Sequence, residues 1–187
     1  SALDQATTGD DNTAVGYNSM YANTTGGYNT AIGDTSLDAN TTGNNNVALG
    51  HNALGSNTTA SDNTAVGRSS LGSNTTGNEN TAVGRKSLEA NTTGSHGTAI
   101  GRHALYANTT GAYNTAVGRN ALAANQTGAS NTAVGMDALE ANTGQFNTGI
   151  GFRALEANTT ASNNVAVGCN ALVLNTTGAN NTVVGAN

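Results

Sequence analysis

A pentapeptide returns at almost constant spacing, and that periodicity restricts the fold more than any other property of the chain. Asn12–Gly16 (NTAVG) recurs at 29–33, 46–50, 63–67, 80–84, 97–101, 114–118, 131–135, 147–151, 164–168 and 181–185. Nine of the ten intervals are 17 residues; the tenth is 16, because the turn at Asn142–Gly144 lacks one Thr. Residues 2–11 fit the same frame, with Leu3 in the Leu place and Thr7, Thr8 and Gly9 in the turn. The chain therefore begins and ends in mid-repeat. It reads as a single repeat domain, residues 1–187, cut from a longer fibre protein.

One unit reads N-T-A-[VI]-G-x-x-[AS]-L-x-A-N-T-T-G-x-x, with places numbered 1 to 17. T-A-V is a short run of β-compatible residues closed by Gly, and [AS]-L-x-A predicts a second short strand. N-T-T-G is turn chemistry, since Gly adopts positive φ freely and Asn tolerates it. Two strands and two turns in so few residues make one coil of a solenoid. The expected fold is an all-β parallel β-solenoid of eleven coils, stacked about 4.8 Å apart. Composition agrees: Asn, Thr and 25 Gly are poor helix formers, and the chain has no Pro or Trp. Only 9 % of residues are charged, against about 25 % in ordinary domains.

Stacking like places predicts ladders. Place 12 holds Asn23, Asn40, Asn57, Asn74, Asn91, Asn108, Asn125, Asn142, Asn158 and Asn175. Their amides can hydrogen-bond along the rod, as in cross-β stacks. Most of them also read as N-x-[ST] glycosylation acceptors, but a sugar on every coil at one place is sterically implausible. Place 1 is Asn in ten of eleven units, Gly97 being the exception. Val or Ile at place 4 and Leu at place 9 are expected to form the core. Two sizeable apolar side chains per coil make a thin core, so self-association is expected, in the symmetric homo-oligomeric form that is usual.

N-[TV]-A-[VIL]-G-x-x-[AS]-L, as in Asn46–Gly50 and the residues after it, resembles the head repeats of the YadA-like trimeric autotransporter adhesins. Similar units occur in phage-type tail fibres and related bacterial fibre proteins. The resemblance covers essentially the whole chain. It implies a left-handed β-roll assembled as a homotrimer, located outside the cell on a bacterial surface or in a virion fibre. It further implies a structural or adhesive segment of that fibre, reaching toward or binding a glycan or matrix ligand on a host or prey surface. The repeat is longer than the usual one of the family, and no ligand-binding residue carries over.

Chemistry-bearing residues fall at the variable places 6, 7, 10, 16 and 17, which are expected to face water. Place 6 holds Arg68, Arg85, Arg102 and Arg119 in successive coils, with Lys86 and His103 beside them at place 7. This stripe is a candidate site for an acidic or sulfated glycan or a lipopolysaccharide phosphate. The plainer reading, a solvated stripe with local salt bridges, is preferred on residues alone. Tyr106 and Tyr113 flank the turn at 108–111 and are candidate sugar-binding rings, again with the plain exposed reading preferred. Phe146 and Phe152 bracket the short coil and are expected to fill the gap left by the missing Thr. His51, His96 and His103 are too far apart in the stack for one chain to gather them around a metal, and no metal site is expected. Cys169, the sole cysteine, reads as an outward-facing bystander thiol, and excludes an intrachain disulfide.

No Ser/His/Asp order, nucleotide-binding glycine loop or calcium-binding repeat occurs in a usable context, so neither an enzyme nor a cofactor is expected. A net charge of −5 gives no reason to expect nucleic acid. No apolar run approaches the ~20 residues that span a bilayer, so direct membrane insertion of this segment is not expected. The hexapeptide of left-handed β-helix acyltransferases fails on spacing, since the two apolar places here lie five apart. Two rivals remain. One is a passive fibre-shaft spacer. The other is an ice-binding β-solenoid, because place 2 is Thr in nine of eleven coils, although Val or Ile follows two places later where such solenoids carry a second Thr.

Overall fold

A computed structural model describes residues 2, 3, 5 and 8–186. Thr7, which the repeat frame puts in the first turn, lies outside the described residues. The described chain is an all-β solenoid with a single parallel sheet of eleven three-residue strands in sequential order. The strands are β1 (Thr13–Val15), β2 (Thr30–Ile32), β3 (Val47–Leu49), β4 (Thr64–Val66), β5 (Thr81–Val83) and β6 (Thr98–Ile100). They continue as β7 (Thr115–Val117), β8 (Thr132–Val134), β9 (Thr148–Ile150), β10 (Val165–Val167) and β11 (Thr182–Val184). Every pairing joins like places, as in Thr64↔Thr81, Ala65↔Ala82 and Val66↔Val83. At about 4.8 Å per coil the stack from β1 to β11 is roughly 50 Å long.

Each strand between β1 and β11 sends hydrogen bonds both ways along the rod. Thr64 N–H donates forward to Asn80 O at 2.8 Å, and Gly67 N–H donates back to Leu49 O at 2.8 Å. The expected second strand does not form. Places 8 to 11 are turn, because places 7 and 9 take positive φ in coil after coil, Leu included: Leu37 at 53°, Leu54 at 52°, Leu105 at 51°. A strand requires consecutive residues in the extended region, and a left-handed residue breaks that run. The axial bonding continues nevertheless, from Leu54 N–H to Ser70 O at 3.0 Å and from Ser56 N–H to Gly72 O at 3.0 Å. Bulky residues rarely adopt this conformation. Here burial of each Leu offsets its cost.

The core also differs from expectation at place 4. Ala at place 3 points inward and is fully buried in Ala31, Ala48, Ala65, Ala82, Ala99, Ala116 and Ala133. Leu at place 9 faces it from across the coil, with Leu37, Leu54, Leu71, Leu105, Leu122 and Leu139 at 0 % exposure. The Val or Ile of place 4 points out with the Thr of place 2, because alternate strand residues share a face. Val134 is 36 % exposed, Leu49 43 % and Val15 57 %. Gly at place 5 then closes the strand at φ near +130°. A Cβ on Gly84 would lie 2.7 Å from the Gly101 carbonyl in the next coil, so no other residue fits that corner.

Two amide ladders fill the rest of the interior. At place 12, Asn40 Nδ2 donates to Asn23 Oδ1 at 2.9 Å and to Gly43 O at 3.0 Å. The same pair of bonds recurs at Asn57, Asn74, Asn91, Asn108 and Asn125. At place 1 the bonding is different: Asn46 N–H donates to Asn29 Oδ1 at 2.9 Å, while Asn46 Nδ2 reaches Ala60 O at 2.9 Å. Both ladders thus converge on the place-15 carbonyl, and the buried ladder amides find partners, with Asn125 Oδ1 an exception. Full burial of the place-12 amides from Asn23 to Asn158 leaves no room for an attached sugar.

Candidate functional site

With the interior filled by Ala, Leu, Ser and Asn, the outward faces carry whatever the molecule shows to other molecules. One face is the sheet itself. Its outer side is an in-register array in which a Thr column at place 2 runs beside an aliphatic column at place 4: Val15, Ile32, Leu49, Val66, Val83, Ile100, Val117, Val134, Ile150, Val167 and Val184. Parallel stacking puts like residues about 4.8 Å apart along both columns. The sequence signal for this face was the near-constancy of Ala at place 3. A residue that stays small in coil after coil is held by a confined interior, whereas Val, Ile and Leu interchange freely at place 4.

The second face begins at the Gly corner, where the place-6 column turns outward. Arg68, Arg85, Arg102 and Arg119 are all exposed and stand one above another. At a coil spacing near 4.8 Å, neighbouring cations repel by up to about 1 kcal/mol even in bulk water. Arg119 comes within 3.9 Å of Asp137 Oδ1. Among the described residues, no carboxylate lies within 4.0 Å of Arg68, Arg85 or Arg102. The remaining cations have close partners. Lys86 Nζ lies 3.1 Å from Glu89, and Arg153 lies 2.6 Å from Glu156, three residues on in each case.

The aromatic candidates separate. Tyr106 stands over the side between places 7 and 10, its ring 5.0 Å from the His103 ring and 5.7 Å from Lys86 Nζ. Tyr113 lies on the turn side, stacked on His96 at 4.7 Å with the planes 9° apart. His96 Nδ1 in turn approaches Glu79 at 3.2 Å. The two tyrosines therefore do not make one site, and their ring partners are histidines rather than Arg102 or Arg119. Burial, then the neighbouring Arg102, Lys86 and Arg85 charges, push the His103 imidazole below its ordinary pKa. Phe146 and Phe152 do not fill the short coil: they are 57 % and 40 % exposed, and Arg153 lies 5.9 Å over the Phe152 ring.

Cys169 is exposed, at place 6. No group of three or more His, Cys, Asp or Glu side chains is arranged to hold a metal ion among the described residues. A concavity of about 500 Å³ lies at the C-terminal end of the stack, lined by Leu172, Leu174, Val183 and Val184. It lies at the end of the described stack, includes the ladder residue Asn175, and is lined by none of the candidate arginines or tyrosines. No helix among the described residues is long and apolar enough to cross a membrane. In comparisons with protein-family models, with curated proteins and with solved structures, nothing matches this chain.

Proposed function

We propose that this chain is a structural and adhesive segment of an extracellular fibre, built as a homotrimer around the outer face of the sheet. The outward aliphatic column carries the reading. It runs from Val15 to Val184 beside the Thr column, a continuous half-apolar strip of the kind that marks a contact surface. Covering it removes from water side chains that the thin interior has no room for. A parallel sheet is ordinarily covered on both faces, and here a single chain covers one. The rod form, the uncharged interior and the resemblance to trimeric adhesin heads and tail-fibre repeats all fit a part whose task is to extend and to be seen.

Multi-angle light scattering of the purified chain tests this directly. The expected mass is three times the 18.4 kDa of one chain. Replacing Val66, Val83 and Ile100 by Ser lowers the mass to that of the monomer. A wild-type monomer overturns the trimeric fibre.

A second reading rests on the same face. Thr and a short aliphatic residue, both outward on an in-register, evenly spaced array, also describe a surface that can order water as ice does. Thermal hysteresis separates the two, because an ice-binding face has to be free in solution. Clear hysteresis from a monomer favours that reading; its absence from a trimer favours the fibre.

A further inference from the structure

The place-6 column is unexplained by folding. The chain has 11 acidic residues against six Lys and Arg, so carboxylates are abundant. Yet among the described residues none lies within 4.0 Å of Arg68, Arg85 or Arg102. These three stand in consecutive coils at one place, where stacking brings their charges together rather than apart. Lys86, Arg153 and Arg119 show that this fold can supply partners where it uses them. The column is therefore a surface whose counter-charge comes from elsewhere. On the adjoining side, burial first and then the Arg102, Lys86 and Arg85 charges lower the His103 imidazole pKa, against an opposing pull from Glu89.

We infer that Arg68, Arg85 and Arg102, continued by Arg119, bind a linear acidic polysaccharide lying along the rod axis. A guanidinium offers paired N–H donors to a carboxylate or sulfate, and the column repeats that offer once per coil. One sugar of an extended pyranose chain is about as long as a coil is thick, so successive acidic sugars meet successive arginines. Tyr106 stands over His103 and Lys86 of place 7, one place away from the column in the repeat. Nucleic acid fits less well. Single-strand binding surfaces interleave aromatic rings with the cations, and place 6 between Arg68 and Arg119 has none. The like charges further keep this column off any symmetry axis, where copies would face one another. The inference rests on the adhesive reading for its setting and names that segment's ligand class.

The test is calorimetric titration of the full chain with heparin-derived oligosaccharides, which are sulfated, and with oligogalacturonate, which is carboxylated, at low and at physiological salt. The variant R68S/R85S/R102S changes only exposed, unpaired side chains, and circular dichroism checks that it folds. R153S, which breaks a local pair off the column, is the control. Wild-type binding is expected to weaken with salt, to fall about tenfold or more in the triple variant, and to persist in R153S. Binding of one probe alone identifies sulfate or carboxylate as the recognised group; binding of both identifies the charge spacing. The inference is overturned if neither oligosaccharide binds, if the triple variant binds like the wild type, or if a single-stranded oligonucleotide binds as well through the same arginines. Light scattering on the same samples separates the two proposals. An intact trimer that binds no oligosaccharide removes this inference alone, whereas a monomer that binds through the arginines removes the fibre and leaves the site.

Discussion

The coils from Asn40 to Asn125 and the short coil that follows them solve the same problem with different success. In the regular coils each place-12 amide donates twice, to the amide one coil back and to the carbonyl three residues on. Where the turn loses a Thr, the strand keeps its register, Thr132 pairing with Thr148 and Val134 with Ile150. The amides do not keep theirs. Asn142 Nδ2 turns to Gly144 O at 3.1 Å, and Asn125 Oδ1 is left buried without a partner. Asn147 Nδ2 accordingly donates to Asn142 Oδ1 at 3.0 Å, and the ladder restarts when Asn158 donates to the same oxygen at 2.7 Å. The backbone ladder of the sheet thus tolerates a deletion that the side-chain ladder registers. A second defect lies at Gly97, which has no amide to accept the Asn114 N–H, although Gly97 N–H still donates to Asn80 Oδ1 at 2.8 Å.

The largest expected effect comes from breaking an intact stretch. Asn74→Ala leaves Asn57 Oδ1 and Gly77 O without their donors and deprives Asn91 of its acceptor, and should cost about 3 kcal/mol in urea denaturation. Asn125→Ala should cost less, about 1–2 kcal/mol, because its oxygen already accepts nothing and Gly128 O keeps the Asn114 donor. Equal losses at the two positions would mean that the ladder contributes little and that these amides act only as local turn bonds. Inserting a Thr between Thr143 and Gly144 restores the regular turn and is expected to raise stability by about 1 kcal/mol, read as a higher urea midpoint. The smallest effect is expected from Gly97→Asn. The added Cβ meets Asn80 Oδ1 at 3.0 Å and Leu88 Cδ1 at 3.4 Å, a fit the other coils already make with Asn. A gain of up to about 1 kcal/mol should follow from the new acceptor and the stiffer unfolded chain.

Much of this architecture is legible in the residues. The 17-residue period implies stacking of like on like, and stacked Asn at place 12 implies the amide ladder. The second strand was not legible, because [AS]-L-x-A looks extended by composition. Only the coil geometry shows that Leu takes positive φ to reach the centre. The grouping of Tyr106 with Tyr113 was read from nearness in sequence, whereas the turn between them carries the two rings to different sides of the coil.

By itself the sequence determined the repeat, the stacking and the identity of the columns, since any fold that uses a short period must place equal residues in equal surroundings. Which column faces inward was decided only by the tertiary structure. A three-residue strand alternates, so Thr and Val share one side and Ala takes the other, and either side is compatible with T-A-V read alone. Leu at place 9 crosses the narrow interior and leaves room opposite for nothing larger than Ala. The aliphatic column is thereby turned outward, into the surface from which both proposed functions of the sheet are drawn.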